Sequence, residues 1–285
     1  MNKAHQTTTE VILDYIRTHN QLPWTQPWFG SSAPISFQSG KRYSFLNTLL
    51  LEGEPSEFIT WNQIQKQPNA HLRKGSKGHR VFFYSTFDKT ETDKDGNTII
   101  RQVPFLKCYT VFNVDDCDGI SRRWQPKIAN TTNTPIEVAE TIVNNYISRN
   151  NIQIKHDRSE AFYSVRHDFI NIPELSNFRS SEDYYSTLLH EIIHSTGHKT
   201  RLGRFKDGDS SSPFGSPSYS REELVAEMGA SFLLNQLGIA NSRTLEQNAA
   251  YIKNWIKALN NDYTLISVAA GRAERAVEYV LGEKQ

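Results

Sequence analysis

The sequence has little of several features that would assign it to a specialised class. It contains two cysteines, Cys108 and Cys117, and no Cys-x-x-Cys pair, which excludes a disulfide scaffold and indicates ordinary thiols in a reducing compartment. No apolar run approaches the roughly 20 residues that cross a bilayer. The first residues mix charges into a short apolar stretch and lack a secretory cleavage pattern. We therefore expect a soluble, cytoplasmic protein with no membrane partner.

The net charge is also close to zero. The chain of 285 residues has 32 Lys and Arg against 31 Asp and Glu, a formal charge of +1, which taken alone argues against a nucleic-acid partner. The charge is unevenly distributed, however: residues 1–127 carry 16 basic and 12 acidic residues, whereas residues 128–285 carry 16 and 19. These counts correspond to net charges of +4 and −3, so the average excludes nothing for the first half.

A polar stretch at residues 121–135 is the best candidate for a linker, because it has two prolines and no apolar periodicity. We expect one domain at 1–127 and another at 136–285, joined by a linker at 128–135.

The two parts differ in hydrophobic pattern. The first has short mixed segments, a turn signal at Asp95-Gly96 and a capping-box spacing of Thr7 and Glu10 before an apolar stripe. This pattern indicates a small α+β unit with a hairpin-rich sheet. The second part is mainly helical, and its alternating segment at 161–173 predicts a hairpin or edge strand. The predicted fold class is α+β in two domains.

The strongest chemical motif is an HExxH sequence at residues 190–194, inside a predicted helix. Residues four apart lie on one helix face, so His190 and His194 can bind one Zn²⁺. Glu191 can reach a metal-bound water and act as general base. With the His and Glu content of this chain, about 0.02 such motifs are expected by chance, which favours a metal site over surface histidines.

A catalytic zinc needs a third protein ligand. Position 200 is Thr where a metzincin has its third His, which argues against that pattern. Among Glu222, Glu223 and Glu227 on the next predicted helix, the last two are four apart, similar to the gluzincin arrangement. We assign Glu223 as metal ligand and Glu227 as the residue that orients a ligand His, the alternative being a solvated acidic face. Two His and a carboxylate suit Zn²⁺ but also accept Mn²⁺, Co²⁺ or Ni²⁺.

Two neighbouring features are each open to two interpretations. His198 either polarises a substrate carbonyl or caps the end of the helix, where a cationic His is favoured. The Ser-, Gly- and Pro-rich segment 206–220 is either a lid over the site or an inert surface loop. Tyr219, near the end of that segment, is a candidate for stabilising an oxyanion, and segment 161–173 could pair with a peptide substrate.

Basic and aromatic residues concentrate in the first half. The segment 71–80 includes two glycines, which let backbone amides approach phosphates that the neighbouring cations neutralise. Tryptophans can stack on single-stranded bases, although they more often lie in a core. The candidate DNA-binding residues are Arg73, Lys74, Lys77, Arg80, Lys41, Arg42, Tyr43, Trp24, Trp28 and Trp61.

Two sets of segments carry a family resemblance. LPWTQPWFG, GKRYSFLNTLLL, FITWNQI, LRKGSKG and YTVFNVDDCDG resemble, in that order, the N-terminal single-stranded-DNA-binding domain of ArdC-type antirestriction proteins. DFINIPELSNFRSSEDYYSTLLHEIIHSTGHKTRLGR and SREELVAEMGASFLL resemble the zincin-like metallopeptidase domain of the same family. The resemblance spans nearly the whole chain, and the stretch 43–47 departs from the YxGxN-like pattern of the family.

The resemblance implies a plasmid- or phage-borne protein that enters a new host with single-stranded DNA and protects that DNA from restriction. It implies a small α+β DNA-binding domain, contacting DNA through 73–80, and a mainly helical metallopeptidase domain with a small edge sheet. In that domain His190 and His194 are metal ligands and Glu191 is the catalytic acid-base. We expect single-stranded DNA and an unidentified protein substrate linked to host restriction as partners.

A protein that masks DNA, with a zincin fold that is only structural, is the alternative. Hydrolysis of a bond other than a peptide is also left open by HExxH alone.

Overall fold

The computed structural model of the chain describes residues 3–25, 34–51, 56–92, 98–124, 135–178, 180–205, 217–239 and 249–283. The predicted α+β class with two parts is confirmed. The predicted turn at Asp95-Gly96 lies outside the described residues, as does the linker 128–135 except for Pro135. The predicted domain boundaries therefore stay a prediction.

The first part of the chain combines short helices with two sheets. Its elements are α1 (Lys3–His19), β1 (Ile35–Ser36), α2 (Phe45–Leu50), β2 (Glu57–Thr60), α3 (Trp61–Ile64), β3 (His71–Leu72), β4 (His79–Thr92), β5 (Thr98–Asn113) and β6 (Cys117–Asp118), with 3₁₀ turns at Pro23–Thr25 and Val114–Asp116. The larger sheet has the order β1-β2-β5-β4, and β3 pairs with β6. β4 and β5 form a long antiparallel ribbon that pairs from His79↔Val111 to Thr92↔Thr98.

The second part is mainly helical, as predicted. Its elements are α4 (Pro135–Asn150), β7 (Gln153–Lys155), β8 (Phe162–Ser164), β9 (Phe169–Asn171), α5 (Ser181–Ser195), α6 (Pro217–Leu237), α7 (Ala249–Asn261) and α8 (Leu265–Leu281), with a 3₁₀ turn at Leu175–Asn177. The predicted hairpin is present as β8 and β9 in a three-stranded sheet of order β7-β9-β8, which leaves β8 at an edge. Among the helices described, none combines the length and apolar character needed to cross a membrane.

Local capping fixes both ends of the helix pair that carries the HExxH motif and its neighbouring acids. The Ser180 side chain accepts a hydrogen bond from the amide of Asp183 (3.1 Å) and starts α5. Gly238 ends α6 in the left-handed conformation, with φ of 68°. The motif therefore lies in the last turns of α5, and the acidic residues lie near the start of α6.

The first helix begins earlier than the sequence predicts. α1 begins at Lys3, so Thr7 lies inside the helix and the predicted start at a Thr7–Glu10 capping box is wrong. Gln6 instead donates to the Glu10 carboxylate one turn away (2.8 Å). Tertiary packing outweighs the local capping signal, because Thr8 and Thr9 of this helix are fully buried.

One hydrophobic core joins the two parts of the chain. It unites side chains of α5, α6 and α8 with several from the first part, among them Ile12, Ile16, Trp24 and Phe45. Polar contacts tie α1 to the C-terminal helices: the Thr9 hydroxyl donates to the Tyr263 carbonyl (2.8 Å), and His5 Nδ1 lies 2.7 Å from Ser267 Oγ. The first helix therefore completes the core by packing against α7 and α8.

Gly229 sets how closely α5 and α6 approach. A methyl group added at Gly229 would lie 2.9 Å from Cγ2 of Ile193, closer than carbon atoms pack. We expect Gly229→Ala to lower the free energy of unfolding by up to about 2 kcal/mol, because overpacking costs about 1–3 kcal/mol and exceeds the helix propensity that Ala adds. Urea unfolding of the metal-free protein measures this change.

Gly271 of α8 provides the matched control, since an added methyl there meets nothing within 4 Å. Gly271→Ala should stabilise the protein by about 0.5–1 kcal/mol. Equal stabilisation by both substitutions would contradict a close approach of the two helices.

Candidate metal centre and nucleic-acid surface

The structure brings His190, His194 and Glu223 together. Their donor atoms all lie within 4.8 Å of one another. The Nε2 atoms of the two histidines are 3.1 Å apart, and the Glu223 carboxylate oxygens lie 3.3 Å from His194 Nε2 and 3.6 Å from His190 Nε2. α5 supplies both imidazoles from one face and α6 supplies the carboxylate, so the approach of these helices builds the site.

These separations fit one tetrahedral metal ion. Metal–nitrogen and metal–oxygen bonds of about 2.0–2.1 Å at tetrahedral angles place neighbouring donors about 3.3–3.4 Å apart. The three observed separations of 3.1, 3.3 and 3.6 Å lie around that value. Two imidazoles and one carboxylate also form a donor set that catalytic zinc sites use, and they leave a fourth position for water or substrate.

A second carboxylate lies on the outer side of His194. Glu222 Oε1 is 3.5 Å from His194 Nδ1, a position that favours a proton on Nδ1 and leaves the Nε2 lone pair facing the site. Arg204 binds Glu222 through two hydrogen bonds, Nη2 to Oε1 (2.7 Å) and Nε to Oε2 (3.1 Å). Arg204 also donates to the Ile193 carbonyl and the Thr196 hydroxyl at the end of α5, so it connects both helices.

The charges of this cluster shift the pKa values of its members. Burial opposes protonation of His194, but Glu222 and Glu223 outweigh it and raise the pKa of His194 to about 10. Burial likewise opposes ionisation of Glu223, yet the two imidazoles hold the pKa of that carboxyl below its usual range. The pKa of Glu222 is also lowered against burial, by His194 and Arg204. The ionised carboxylates therefore stabilise positive charge at the imidazoles. A metal ion bound among these side chains would be stabilised in the same way.

Glu191, the predicted general base, lies between the two histidines of the motif in α5. Its side chain is buried, and its negative charge is one of those that raise the pKa of His194. A buried carboxylate beside the donor set suits proton transfer at the site, although its catalytic role stays a prediction.

Glu227 and Trp24 contact each other. Trp24 Nε1 donates to Glu227 Oε2 (2.9 Å) across 203 residues of sequence. Trp24 is fully buried and meets Trp255 edge to face, with ring centroids 6.0 Å apart. The prediction that Trp24 stacks on DNA bases is therefore wrong, because its ring belongs to the core. Glu222 also lies beside a ligand histidine, and the role of Glu227 in orienting a ligand His stays a prediction.

His198 lies beyond the end of α5 and faces Asp168. Its Nδ1 is 2.8 Å from Thr200 Oγ1 and 3.8 Å from Asp168 Oδ2. Burial lowers the pKa of His198, which disfavours the interpretation as a cationic helix cap. Polarisation of a substrate carbonyl by His198 stays a prediction.

The other two features near the site lie largely outside the described residues. Of the proposed lid at 206–220, residues 206–216 lie outside the described residues, and the last four residues form the start of α6. Tyr219 lies in the first turn of α6, and the described side chains do not include it.

Nearby carboxylates partly neutralise the positive charge of the predicted basic loop at 71–80. Arg73 donates to the Asp115 carbonyl, and its guanidinium lies 3.7 Å from Asp116 and 3.5 Å from Asp118. His71 also pairs with Asp118 (3.2 Å). A phosphate would therefore compete with these carboxylates for Arg73.

The remaining cations of the predicted DNA surface are exposed: Lys74, Lys77, Arg80, Lys41 and Arg42. Tyr43 is half-buried against Phe58, with ring centroids 6.4 Å apart, and burial raises the pKa of Tyr43 to about 12. Trp61 is 50% exposed at the start of α3, as a stacking platform requires. Trp28 lies outside the described residues.

Sequence reasoning missed two exposed aromatics, Phe83 and Tyr109. Among the described residues, the exposed large hydrophobic side chains are Trp61, Phe83, Tyr109, Trp124, Leu175 and Val268. All four aromatic members lie in the first part of the chain. Alternation along β4 and β5 could have suggested Phe83 and Tyr109, but only the strand register shows that they share a face.

Two family models match the chain in sequence order. Residues 2–112 match the N-terminal domain of anti-restriction factor ArdC, and residues 141–272 match a zincin-like metallopeptidase. Together the two matches cover both parts of the fold.

Individual relatives extend the match across the chain. The DNA primase TraC of Escherichia coli is 32% identical over 99% of this chain. The match covers only 27% of the length of that primase. The uncharacterized protein y4eC of Sinorhizobium fredii (strain NBRC 101917 / NGR234) is 31% identical over 91% of this chain and 84% of its own length. The Mn(II)-bound crystal structure of the antirestriction ArdC protein from the R388 plasmid is 29% identical, with a TM-score of 0.73 over 98% of this chain and 97% of that chain. The zincin-like match and this manganese-bound relative indicate a divalent metal.

Proposed function

Since the chain belongs to the ArdC-type antirestriction family, we propose that it binds single-stranded DNA through its first part and hydrolyses a protein linked to host restriction at a zinc site in its second part. His190, His194 and Glu223 hold the ion. Mn²⁺, Co²⁺ or Ni²⁺ can substitute for Zn²⁺ at this donor set.

The observation that carries the hydrolytic proposal is the spacing of the three donors around one point, with the buried Glu191 beside them. Separations of 3.1, 3.3 and 3.6 Å suit a tetrahedral ion. An ion held by these residues would supply Lewis acidity and would lower the pKa of an attacking water. Glu191 accepts a proton from that water as its oxygen attacks the peptide carbonyl carbon. It then delivers the proton to the amine nitrogen as the C–N bond breaks.

A peptide is the substrate class that the surroundings support. β8 lies at the edge of its sheet and contacts α5. An edge strand can pair its backbone with an extended peptide, and such pairing would place that peptide near the HExxH helix. This arrangement favours a peptide over other hydrolysable groups.

The DNA-binding half of the proposal is supported by charge and by exposed rings. Residues 1–127 carry a net charge of +4, and the exposed aromatic side chains of the described residues all lie in this part. Cations neutralise phosphates and exposed rings stack on unpaired bases. Binding there would place the metal site close to incoming DNA.

Glu191→Gln tests the proposed chemistry, because the amide keeps the shape of the side chain and cannot accept the proton. We expect unchanged metal content, a fall of about 10²–10⁴-fold in cleavage of a fluorogenic peptide library, and loss of protection of unmodified plasmid DNA in restricting cells. Glu182→Gln is the matched control, because Glu182 is exposed in the first turn of the same helix.

The two functional readouts separate proteolysis from masking of DNA. Exposed aromatics and positive charge are also what a masking protein needs, so protection could come from DNA occupancy alone. If Glu191→Gln keeps full protection while Lys74→Ala with Lys77→Ala abolishes it, masking is correct and proteolysis is not the function.

A further inference from the structure

We propose that Phe83 and Tyr109 form a platform on the β4–β5 ribbon on which two bases of single-stranded DNA stack, with Lys107 contacting the phosphate between them. This inference rests on the proposed DNA-binding function and names the surface that performs it. None of these three residues belongs to the basic loop at 73–80 or to the tryptophans that the sequence suggested.

The strand register places the three side chains on one face of the ribbon. Val81 pairs with Tyr109 and Phe83 pairs with Lys107 across antiparallel strands. Side chains alternate between the two faces along a strand, and opposite partners point the same way. Phe83, Lys107 and Tyr109 therefore share a face, while Phe82 points to the other one and is buried in the core.

The same face is covered at one end and open at the other. Near the base of the ribbon, Val81 and Val111 are buried in a small cluster with Leu51 and Phe58. Two residues further along each strand, Phe83 is 54% exposed and Tyr109 is 43% exposed. Beside a completed cluster, both rings therefore keep a large apolar area open to solvent.

The charge around the platform favours a polyanion as occupant. Among the described side chains of β4 and β5, none is acidic, and Lys107 lies on the platform face, whereas Arg80 points to the opposite face with Phe82. Edge-to-face contacts continue the aromatic row from His79 through Phe58 to Tyr43 (5.5 and 6.4 Å between ring centroids). Tyr43 follows directly after the exposed Lys41 and Arg42 in sequence, so the row joins two cationic ends.

The spacing of the two rings suits separate bases. Phe83 and Tyr109 occupy diagonal positions of the antiparallel pair, about 7–8 Å apart, so the two side chains present two separate ring faces. Each ring can therefore take its own base. The bases of a duplex already stack on one another, so this platform selects single-stranded over double-stranded DNA.

The experiment measures binding of a fluorescein-labelled oligothymidylate and of the matching duplex at several salt concentrations. We expect Phe83→Ala and Tyr109→Ala each to weaken oligothymidylate binding roughly 5- to 150-fold without changing the salt dependence. Lys107→Ala should instead reduce the slope of log affinity against log salt by about 0.7. Phe83→Tyr and Tyr109→Phe should keep wild-type affinity, because both retain a ring.

Leu175→Ala is the control, since it removes an equally exposed apolar side chain from the second part of the chain. Ultraviolet cross-linking to an oligonucleotide that contains 5-iododeoxyuridine should map to Phe83 or Tyr109, and thermal unfolding checks that each variant is folded. If the wild type binds oligothymidylate and both alanine variants bind within twofold of it, the platform proposal is wrong while the DNA-binding proposal stands. A protein partner is then the better occupant of the two exposed rings. If wild type does not bind oligothymidylate, the proposed DNA binding fails as well.

Discussion

His194→Ala should weaken binding of Zn²⁺ or Mn²⁺ by more than about 100-fold. Loss of a residue that only supports a metal ligand typically costs 10–100-fold in affinity, and His194 is itself a donor, 3.1 Å from His190 Nε2 and 3.3 Å from the Glu223 carboxylate. Its loss leaves two donors on separate helices. Calorimetric titration of the metal-free protein measures the affinity, and elemental analysis measures the metal retained after purification.

His198→Ala is the informative control for this loss. His198 lies four residues after His194, but its Nδ1 faces Thr200 and Asp168. We expect its removal to change metal affinity less than threefold. If His198→Ala lost metal and His194→Ala kept it, the ion would be bound elsewhere than at the cluster described above.

Arg204→Met should destabilise the metal-free protein by about 3–5 kcal/mol. Both members of the Arg204–Glu222 pair are largely buried, with side-chain exposures of 6% and 16%. Removing the guanidinium leaves the Glu222 carboxylate buried without the two hydrogen bonds that compensate its desolvation. Urea unfolding in the presence of a chelator measures the free energy of unfolding without a contribution from metal binding.

Two further variants separate this effect from a general loss of packing. Arg204→Met combined with Glu222→Leu should recover much of the loss, because no buried charge then remains without its partner. Arg221→Met removes the arginine, next to Glu222 in α6, of a more exposed pair with Asp262, and it should cost no more than about 1 kcal/mol. A double variant as unstable as Arg204→Met alone would show that the guanidinium acts through packing rather than through charge.

The sequence predicted best where function depends on local spacing. His190 and His194 share a face because they are four apart in one helix, and no other part of the chain is needed to see this. Glu223 is a partial case: the sequence placed three acids on one helix, but which acid meets the imidazoles depends on how α6 packs against α5. Gly229 fixes that packing through its contact with Ile193, and no pattern within α6 shows it.

Long-range partners explain what sequence reasoning missed. Composition suggested that Trp24 is a stacking platform, whereas a carboxylate 203 residues away and a core shared with α6 and α8 bury it. Arg204 carried no motif at all, and its role appears only when α5 and α6 are side by side. Phe83 and Tyr109 needed the strand register, because two exposed rings make a platform only if they share a face.

The contacts of α1 also bear on how the chain folds during synthesis. Thr9 meets Tyr263 and His5 meets Ser267, pairs separated by 254 and 262 residues. The ribosome therefore synthesises α1 long before Tyr263 and Ser267. The apolar face of α1 stays uncovered while the residues between them are made. Contacts of such long range slow folding and leave apolar surface uncovered in the meantime. We therefore expect the nascent chain to be most prone to aggregation before α8 emerges and closes the core.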